Sequence, residues 1–415
     1  MKVFFIPNYF YLNIQLFEKI INKLKGKGVI SYILKLPGHT NISADNHFDH
    51  IYLNHHKLNL IEPQIYRVSN YRKGIFPKIK FLYLSFFNLK EIRRQIKIWN
   101  PNIVVAGSDL GNLNVRFLID TCLFFKIPII ILYMCDLPQF KFRKFPLFSF
   151  LCRNRYVLRS KILSYLRALL FKGSTPGEYS KDSIICVISN DIRKKLILRG
   201  IDENRIVVTG MPFSIYPTCN FPEDVLKKLS IPEGFRLVVI FTECIQNIYG
   251  KKYAKALYRK IAETIEKLPN KLIFLIKLHP LENEEMITFF NEVFSMPHCK
   301  IIINFDVEKL IGVADLCIAH FSRTLITAAL MGKRFLSINL MKDRKRTFIR
   351  AEETDLEIQT EENLLDKIMR TLNDSTWQQY IDAIILKIAN RFLLQSKKNS
   401  ILKIESTILS HSKKL

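Results

Sequence analysis

Three short stretches of the chain gather side chains suited to holding an anion. In Ile276-Lys277-Leu278-His279-Pro280-Leu281-Glu282-Asn283 an apolar run stops at Leu278, and Pro280 forces a turn that presents His279 where the run ends. A Lys and a His at such a place supply charge and hydrogen-bond donors for a phosphate. In Asp315-Leu316-Cys317-Ile318-Ala319-His320-Phe321-Ser322-Arg323-Thr324 a second apolar run ends in a polar turn. Helical spacing follows over residues 324–331 and Gly332 closes it. Ser322 suits the N-cap, so its hydroxyl and the free N–H groups after it can bind an anion, and Arg323 adds a forked donor. The third stretch, Phe241-Thr242-Glu243-Cys244-Ile245-Gln246-Asn247, ends another apolar run with Thr242 and Gln246 as donors.

Carboxylates that can take a proton end two runs in the first half of the chain. Asp109 closes Val104-Val105-Ala106-Gly107-Ser108-Asp109, and Asp136 closes Tyr133-Met134-Cys135-Asp136. Either can act as a general base. Asp136 is preferred, because a basic aromatic segment follows it directly. Residues 137–177 contain no acid but nine Lys and Arg, Arg153, Arg155, Arg159 and Lys161 among them, interleaved with Phe and Tyr. That pattern fits a surface for anionic lipid, where each basic residue contributes ~1 kcal/mol. The histidines between residues 39 and 56 lack carboxylate or Cys partners at ligand spacing, so no metal is implied.

The elements that must position these residues alternate short β-rich runs with amphipathic stretches of helix length, which predicts a parallel α/β sheet. One series runs through residues 3–6, 29–34, 103–106, 127–132, 184–188 and 206–209. A second runs through 237–241, 272–277, 301–303, 316–319 and 335–338. In sheets of this kind ligands bind at the carboxyl ends of the strands, where the three anion-binding stretches lie. A proline-containing polar passage between residues 212 and 232 separates the series. The expectation is α/β with two Rossmann-like domains facing across a cleft, residues 1–215 and 216–380. Amphipathic spacing then marks two helices over residues 376–415.

Composition bounds the function. The 415 residues carry 63 Lys and Arg against 37 Asp and Glu, and 33 of the former but only 13 of the latter fall in residues 1–220. A net charge of +26 asks for an anionic partner: nucleic acid, lipid or a phosphorylated ligand. No helix-turn-helix, RNA-recognition or OB-fold signature occurs, so a nucleic-acid-binding protein is the weaker alternative. The Walker and dinucleotide glycine patterns are absent too. Eight scattered Cys without a C-x-x-C pair suit a reducing compartment. The apolar run over residues 122–135 contains Lys126 and Pro128 and is too short to span a bilayer. The expected location is cytoplasmic, peripheral on the inner face of a membrane.

Taken together, K-x-H-P followed by D-x-x-I-x-x-x-S-x-T-x-x-x-A-x-x-x-G resembles the nucleotide-binding half of GT-B fold glycosyltransferases, in particular bacterial sialyltransferases and capsule Kdo transferases. The upstream passage from Val187 to Pro212, with Thr209-Gly210-Met211-Pro212, is similar to the end of the first domain in these enzymes, in UDP-N-acetylglucosamine 2-epimerases and in CDP-glycerol glycerophosphotransferases. The resemblance implies a metal-independent, inverting transferase that needs no cofactor, with C-terminal helices over 381–415 packing back on the first domain. It would move a sugar from a CMP- or UDP-linked donor to a lipid-linked or growing surface glycan. It implies a donor site of Lys277, His279, Pro280, Ser322, Arg323, Thr324, Thr242 and Gly210, with Asp136 or Asp109 as base. A glycerophosphotransferase or a 2-epimerase is the enzymatic alternative. Arg323 stands where a second Ser is usual, and Thr327 where many GT-B enzymes have a ribose-binding Glu; neither the latter substitution nor the missing acidic-acidic-Gly motif fits a standard member.

Overall fold

The computed structural model describes residues 1–6, 10–34, 59–61, 75–107, 113–133, 165–166, 168, 177–210, 222–269, 271–280, 282–320, 322–340, 342, 347–392 and 399–412. The chain forms two compact units, Met1–Pro212 with Leu394–Leu415, and Phe213–Leu393.

The first unit is built on β1 (Lys2–Ile6), α1 (Phe10–Lys25), β2 (Ile30–Leu34), β3 (Leu60–Ile61), α2 (Ile75–Trp99), β4 (Ile103–Ala106), α3 (Leu113–Phe124), β5 (Ile129–Tyr133), β6 (Ile184–Val187), α4 (Asn190–Leu198) and β7 (Ile206–Val208). The seven strands among its described residues lie in the order β3-β2-β1-β4-β5-β6-β7. Every pairing is parallel; Val3 sits level with Ser31 on one side and Ile103 on the other. β4 and β5 are buried along their whole length, the condition of a strand covered on both faces, and their text is correspondingly all apolar. β3, only two residues long, falls below what periodicity can register.

The second unit comprises α5 (Pro222–Lys228), β8 (Arg236–Phe241), α6 (Gln246–Tyr249), α7 (Lys251–Ile265), β9 (Leu272–Lys277), α8 (Glu284–Val293), β10 (Cys299–Ile302), α9 (Val307–Val313), β11 (Leu316–Ala319), α10 (Arg323–Leu330), β12 (Phe335–Ile338), β13 (Glu357–Ile358), α11 (Glu362–Asn373) and α12 (Ser375–Phe392). The strand order is β10-β9-β8-β11-β12-β13, again all parallel. The core lies between this sheet and α7, α8 and α11: Val238, Ile240, Phe274 and Ile276 meet Leu257, Ile261, Ile265 and Phe290. α7 places Ala254, Leu257, Tyr258, Ile261, Ala262 and Ile265 on one buried stripe, as i, i+3, i+4 spacing requires. Gly250 precedes it with φ 87°, a backbone angle that favours glycine.

The last helices divide differently from the expected 381–415 boundary. α12 stays with the second unit because Trp377, Ile381, Ile384, Ile385 and Ile388 bury one face. Arg334 grips Asp382 with two 2.9 Å bonds, and the nearly buried Arg391 meets Glu353 at 2.7 Å. A final helix, α13 (Asn399–Ser412), packs on α1 in the first unit; Ile404 and Ile408 are buried and Glu405 pairs with Lys27 at 2.7 Å. Among the described residues no helix is long and apolar enough to cross a membrane.

Candidate functional site

In the second unit β8, β9 and β10 run outward one way from the first strand, and β11, β12 and β13 run outward the other way. The order therefore reverses between β8 and β11. Ligands in open α/β sheets bind outside the carboxyl ends of the strands at such a reversal. Register brings the three ends level: Phe241 pairs with Lys277 of β9 and with Ala319 of β11. The next residues along, Thr242, Leu278 and His320, begin the edge.

Thr242 is the hub. Its N–H donates to the Lys277 carbonyl at 2.9 Å, and its hydroxyl accepts the His279 N–H at 2.9 Å. The same hydroxyl donates to Glu282 Oε1 at 3.2 Å, while Gln246 Nε2 donates to Glu282 Oε2 at 2.7 Å. His279 Nδ1 lies 3.4 Å from Cys244 Sγ. The Glu282 N–H closes the His-Pro turn on the His279 carbonyl at 3.0 Å, and Asn283 then caps α8 by accepting from Met286 N–H at 2.9 Å. Behind the cluster the buried Tyr258 hydroxyl accepts the Glu243 N–H at 3.3 Å.

Burial sets the acid–base character of this edge. It pushes the Glu282 carboxyl up to about 7, against the opposing pull of the bonds from Gln246 and Thr242. It pushes the Cys244 thiol up to about 12, helped by the nearby Glu282 and Glu243, so this thiol is protonated and a poor nucleophile at neutral pH. Tyr258 is raised well above its ordinary value, chiefly by burial. The loss of hydration brings Lys277 down to about 8.

At the end of β11, Ser322 caps α10: its hydroxyl accepts the Thr324 N–H at 3.2 Å and donates to Thr324 Oγ1 at 2.9 Å. His320 is buried just before it, its ring 5.8 Å from that of Tyr249. Ser337 ties the His320 carbonyl down at 2.6 Å. The structure thus brings Thr242 and His279 together and sets Ser322 and Thr324 on the neighbouring strand end. Pro280 is exposed in the turn. Arg323 opens α10, and its side chain lies outside those described.

Lys277 takes a different place from the one its position suggests. It is 5% exposed, and its ammonium donates to the carbonyls of Leu278 and Ile303, both at 2.8 Å. It ties the end of β9 to the turn after β10 and points its charge at backbone. Gly210 follows β7 in the first unit with φ 75°. Asp109, Asp136, Arg153, Arg155, Arg159 and Lys161 lie outside the described residues. Two members were not assigned a role from the sequence: Glu282 and Cys244. An acid two residues past His-Pro, immediately before an Asn N-cap, is the signal that could have marked Glu282; nothing in spacing marks Cys244.

No protein-family model and no curated protein sequence matches the chain. Solved structures do. The fold is that of GT-B-type enzymes. A putative UDP-N-acetylglucosamine 2-epimerase from Listeria monocytogenes superposes with a TM-score of 0.64 at 13% identity, covering 100% of this chain and 97% of that one. The UDP-GlcNAc 2-epimerase of Neisseria meningitidis bound to UDP-GlcNAc gives 0.62 at 14% identity over 99% and 100%. The glycotransferase of kitacinnamycin gives 0.60 at 10% identity over 99% and 98%. The sialyltransferase and Kdo-transferase group, expected from the motifs, is not among these three. At such identities the likeness is one of fold, and it agrees with two Rossmann-like units.

Proposed function

We propose that the chain is a UDP-sugar enzyme whose second unit holds the nucleotide diphosphate at the carboxyl edge of β8, β9 and β11, and that it inverts C2 of a UDP-N-acetylhexosamine. One observation carries the reading: Thr242, His279, Ser322 and Thr324, predicted separately from three stretches, lie on adjacent strand ends at the reversal of strand order. The imidazole of His279, the hydroxyls of Ser322 and Thr324 and the first N–H groups of α10 are donors suited to phosphate oxygens. UDP is preferred over CMP because a 2-epimerase structure of this fold, and two further structures of it, are described with UDP or UDP-sugar bound.

Inversion at C2 requires one group to remove the C2 proton while the C1–O bond to UDP breaks, the C–H electron pair forming a C1=C2 double bond, and another to return a proton to the opposite face of C2 as UDP adds back at C1. Asp136 and Asp109 are the carboxylates proposed for this chemistry. A second reading, transfer of the sugar to a lipid-linked glycan with one of these as base, is supported by the glycotransferase of the same fold and by the basic aromatic segment 137–177, which suits an acceptor at an anionic membrane surface. Incubation with UDP-GlcNAc in heavy water separates the two. A 2-epimerase incorporates deuterium at C2 and yields the 2-epimer without an acceptor. A transferase leaves C2 protonated and turns over only when acceptor is added. Absence of both C2 exchange and acceptor-dependent UDP release refutes the proposal.

A further inference from the structure

Glu282 is a largely buried carboxyl whose two oxygens are held by neutral donors, the Thr242 hydroxyl and the Gln246 carboxamide. The charged and titratable groups around it are these. From the loop after β8 come Glu243 and Cys244, and from α7 comes Tyr258. Lys251 and Lys255 of α7 are engaged by Glu285 of α8. From β9 and its turn come Lys277, whose ammonium is bonded to two carbonyls, and His279. One hydroxyl separates the Glu282 carboxyl from the His279 N–H, so an ionised Glu282 places negative charge beside the lip where the diphosphate is proposed to sit.

We propose that Glu282 serves this site as a neutral acid, so that a UDP-sugar is bound with uptake of one proton. The inference rests on the diphosphate being held at this edge. When Glu282 is ionised, the Thr242 hydrogen is spent on Oε1. When a solvent proton is added to Oε1, the bond reverses: Glu282 O–H donates to Thr242 Oγ1, whose other lone pair already takes the His279 N–H. The Thr242 hydrogen is then released toward a ligand oxygen. No covalent bond other than the new O–H changes. The site gains one donor and loses one negative charge, while the Gln246 bond to Oε2 persists. Burial supplies the opportunity, since it brings the carboxyl up to about 7, within reach of neutral pH.

The test is calorimetric titration of the full chain with UDP-GlcNAc from pH 5.5 to 8.5, in two buffers of different ionisation heat. The diphosphate diester of this ligand has no proton to exchange near neutrality, so uptake reports the protein. Wild type is expected to take up nearly one proton at pH 8 and to lose affinity about tenfold per pH unit above pH ~7. Glu282→Gln, which presents an N–H to Thr242 at every pH, is expected to bind at pH 8 with the affinity wild type shows at pH 6, with uptake reduced by about one proton. Thr242→Val is expected to lack the gain at low pH. If Glu282→Gln keeps the wild-type profile and uptake, the titrating group is another, such as the His279 imidazole, and the proposal is overturned. Affinity independent of pH in wild type also overturns it, with the nucleotide site left standing. Failure of wild type to bind UDP-GlcNAc at any pH removes the nucleotide site itself, and the proton coupling with it.

Discussion

Glu282 makes the ligand-free protein less stable as pH rises, and the size of the effect follows from its setting. Its carboxyl titrates at about 7 in the folded chain against an ordinary value of 4.5, because burial opposes its charge. Between those values the folded state binds a proton that the unfolded state has released, so stability falls with rising pH. The contribution is complete below pH 4.5, is lost as pH rises through 7, and changes no further above that. The interval corresponds to ~3 kcal/mol at about 1.4 kcal/mol per pH unit; partial solvent access and the two hydrogen bonds from Thr242 and Gln246 bring the expectation to about 2 kcal/mol. Glu282→Gln keeps both bonding partners and removes the charge. Urea denaturation of wild type and variant at half-unit steps from pH 4.5 to 8 isolates the effect, since other titrating groups cancel in the difference. The difference curve should drop by about 2 kcal/mol across this window. A flat difference curve refutes the reasoning, because it would mean that the carboxyl is hydrated or paired with a cation.

Three further outcomes test the packing of the two units. Ser322→Ala removes the cap of α10 and should cost about 1 kcal/mol in thermal or chemical denaturation, with the loss confined to the second unit. Ile388→Ala, at a fully buried position of α12, should cost about 2–4 kcal/mol by chemical denaturation. Gly177 has φ 78°, and a Cβ there would collide with the Ile185 side chain and crowd Arg205; Gly177→Ala should cost ~1–3 kcal/mol, measured in the same way.

Much of this architecture is written plainly in the sequence. Central strands such as β8 and β9 are covered on both faces, so Leu237–Phe241 and Leu272–Ile276 read as uninterrupted apolar runs. The order of strands is not local information, yet the conclusion that His279 and Ser322 share an edge needed only that both follow parallel strands of one sheet. Periodicity could not see β3 or β13, each two residues long, whose pairing is set by their neighbours. Amphipathic spacing shows that a helix buries a face without showing against what, and the packing of 381–415 on the first domain is what the resemblance implies; the Arg334–Asp382 and Arg391–Glu353 pairs that hold α12 join residues 48 and 38 positions apart. The charge of Lys277 misled for a related reason. A strand-end lysine reads as an anion ligand, whereas its ammonium here satisfies two carbonyls, one of them 26 residues away. Glu282 was visible as a residue, but its burial, and hence its acidity, comes from the fold around it.

The central claim is that the second unit binds a UDP-sugar through the edge formed by Thr242, His279 and Ser322. Calorimetric titration of wild type and His279→Ala with UDP-GlcNAc at pH 6.5, with far-ultraviolet circular dichroism to confirm that the variant is folded, tests it most directly. Wild type should bind at one site per chain, and the variant with affinity at least tenfold weaker. No binding by wild type, or equal binding by a folded His279→Ala, would contradict it.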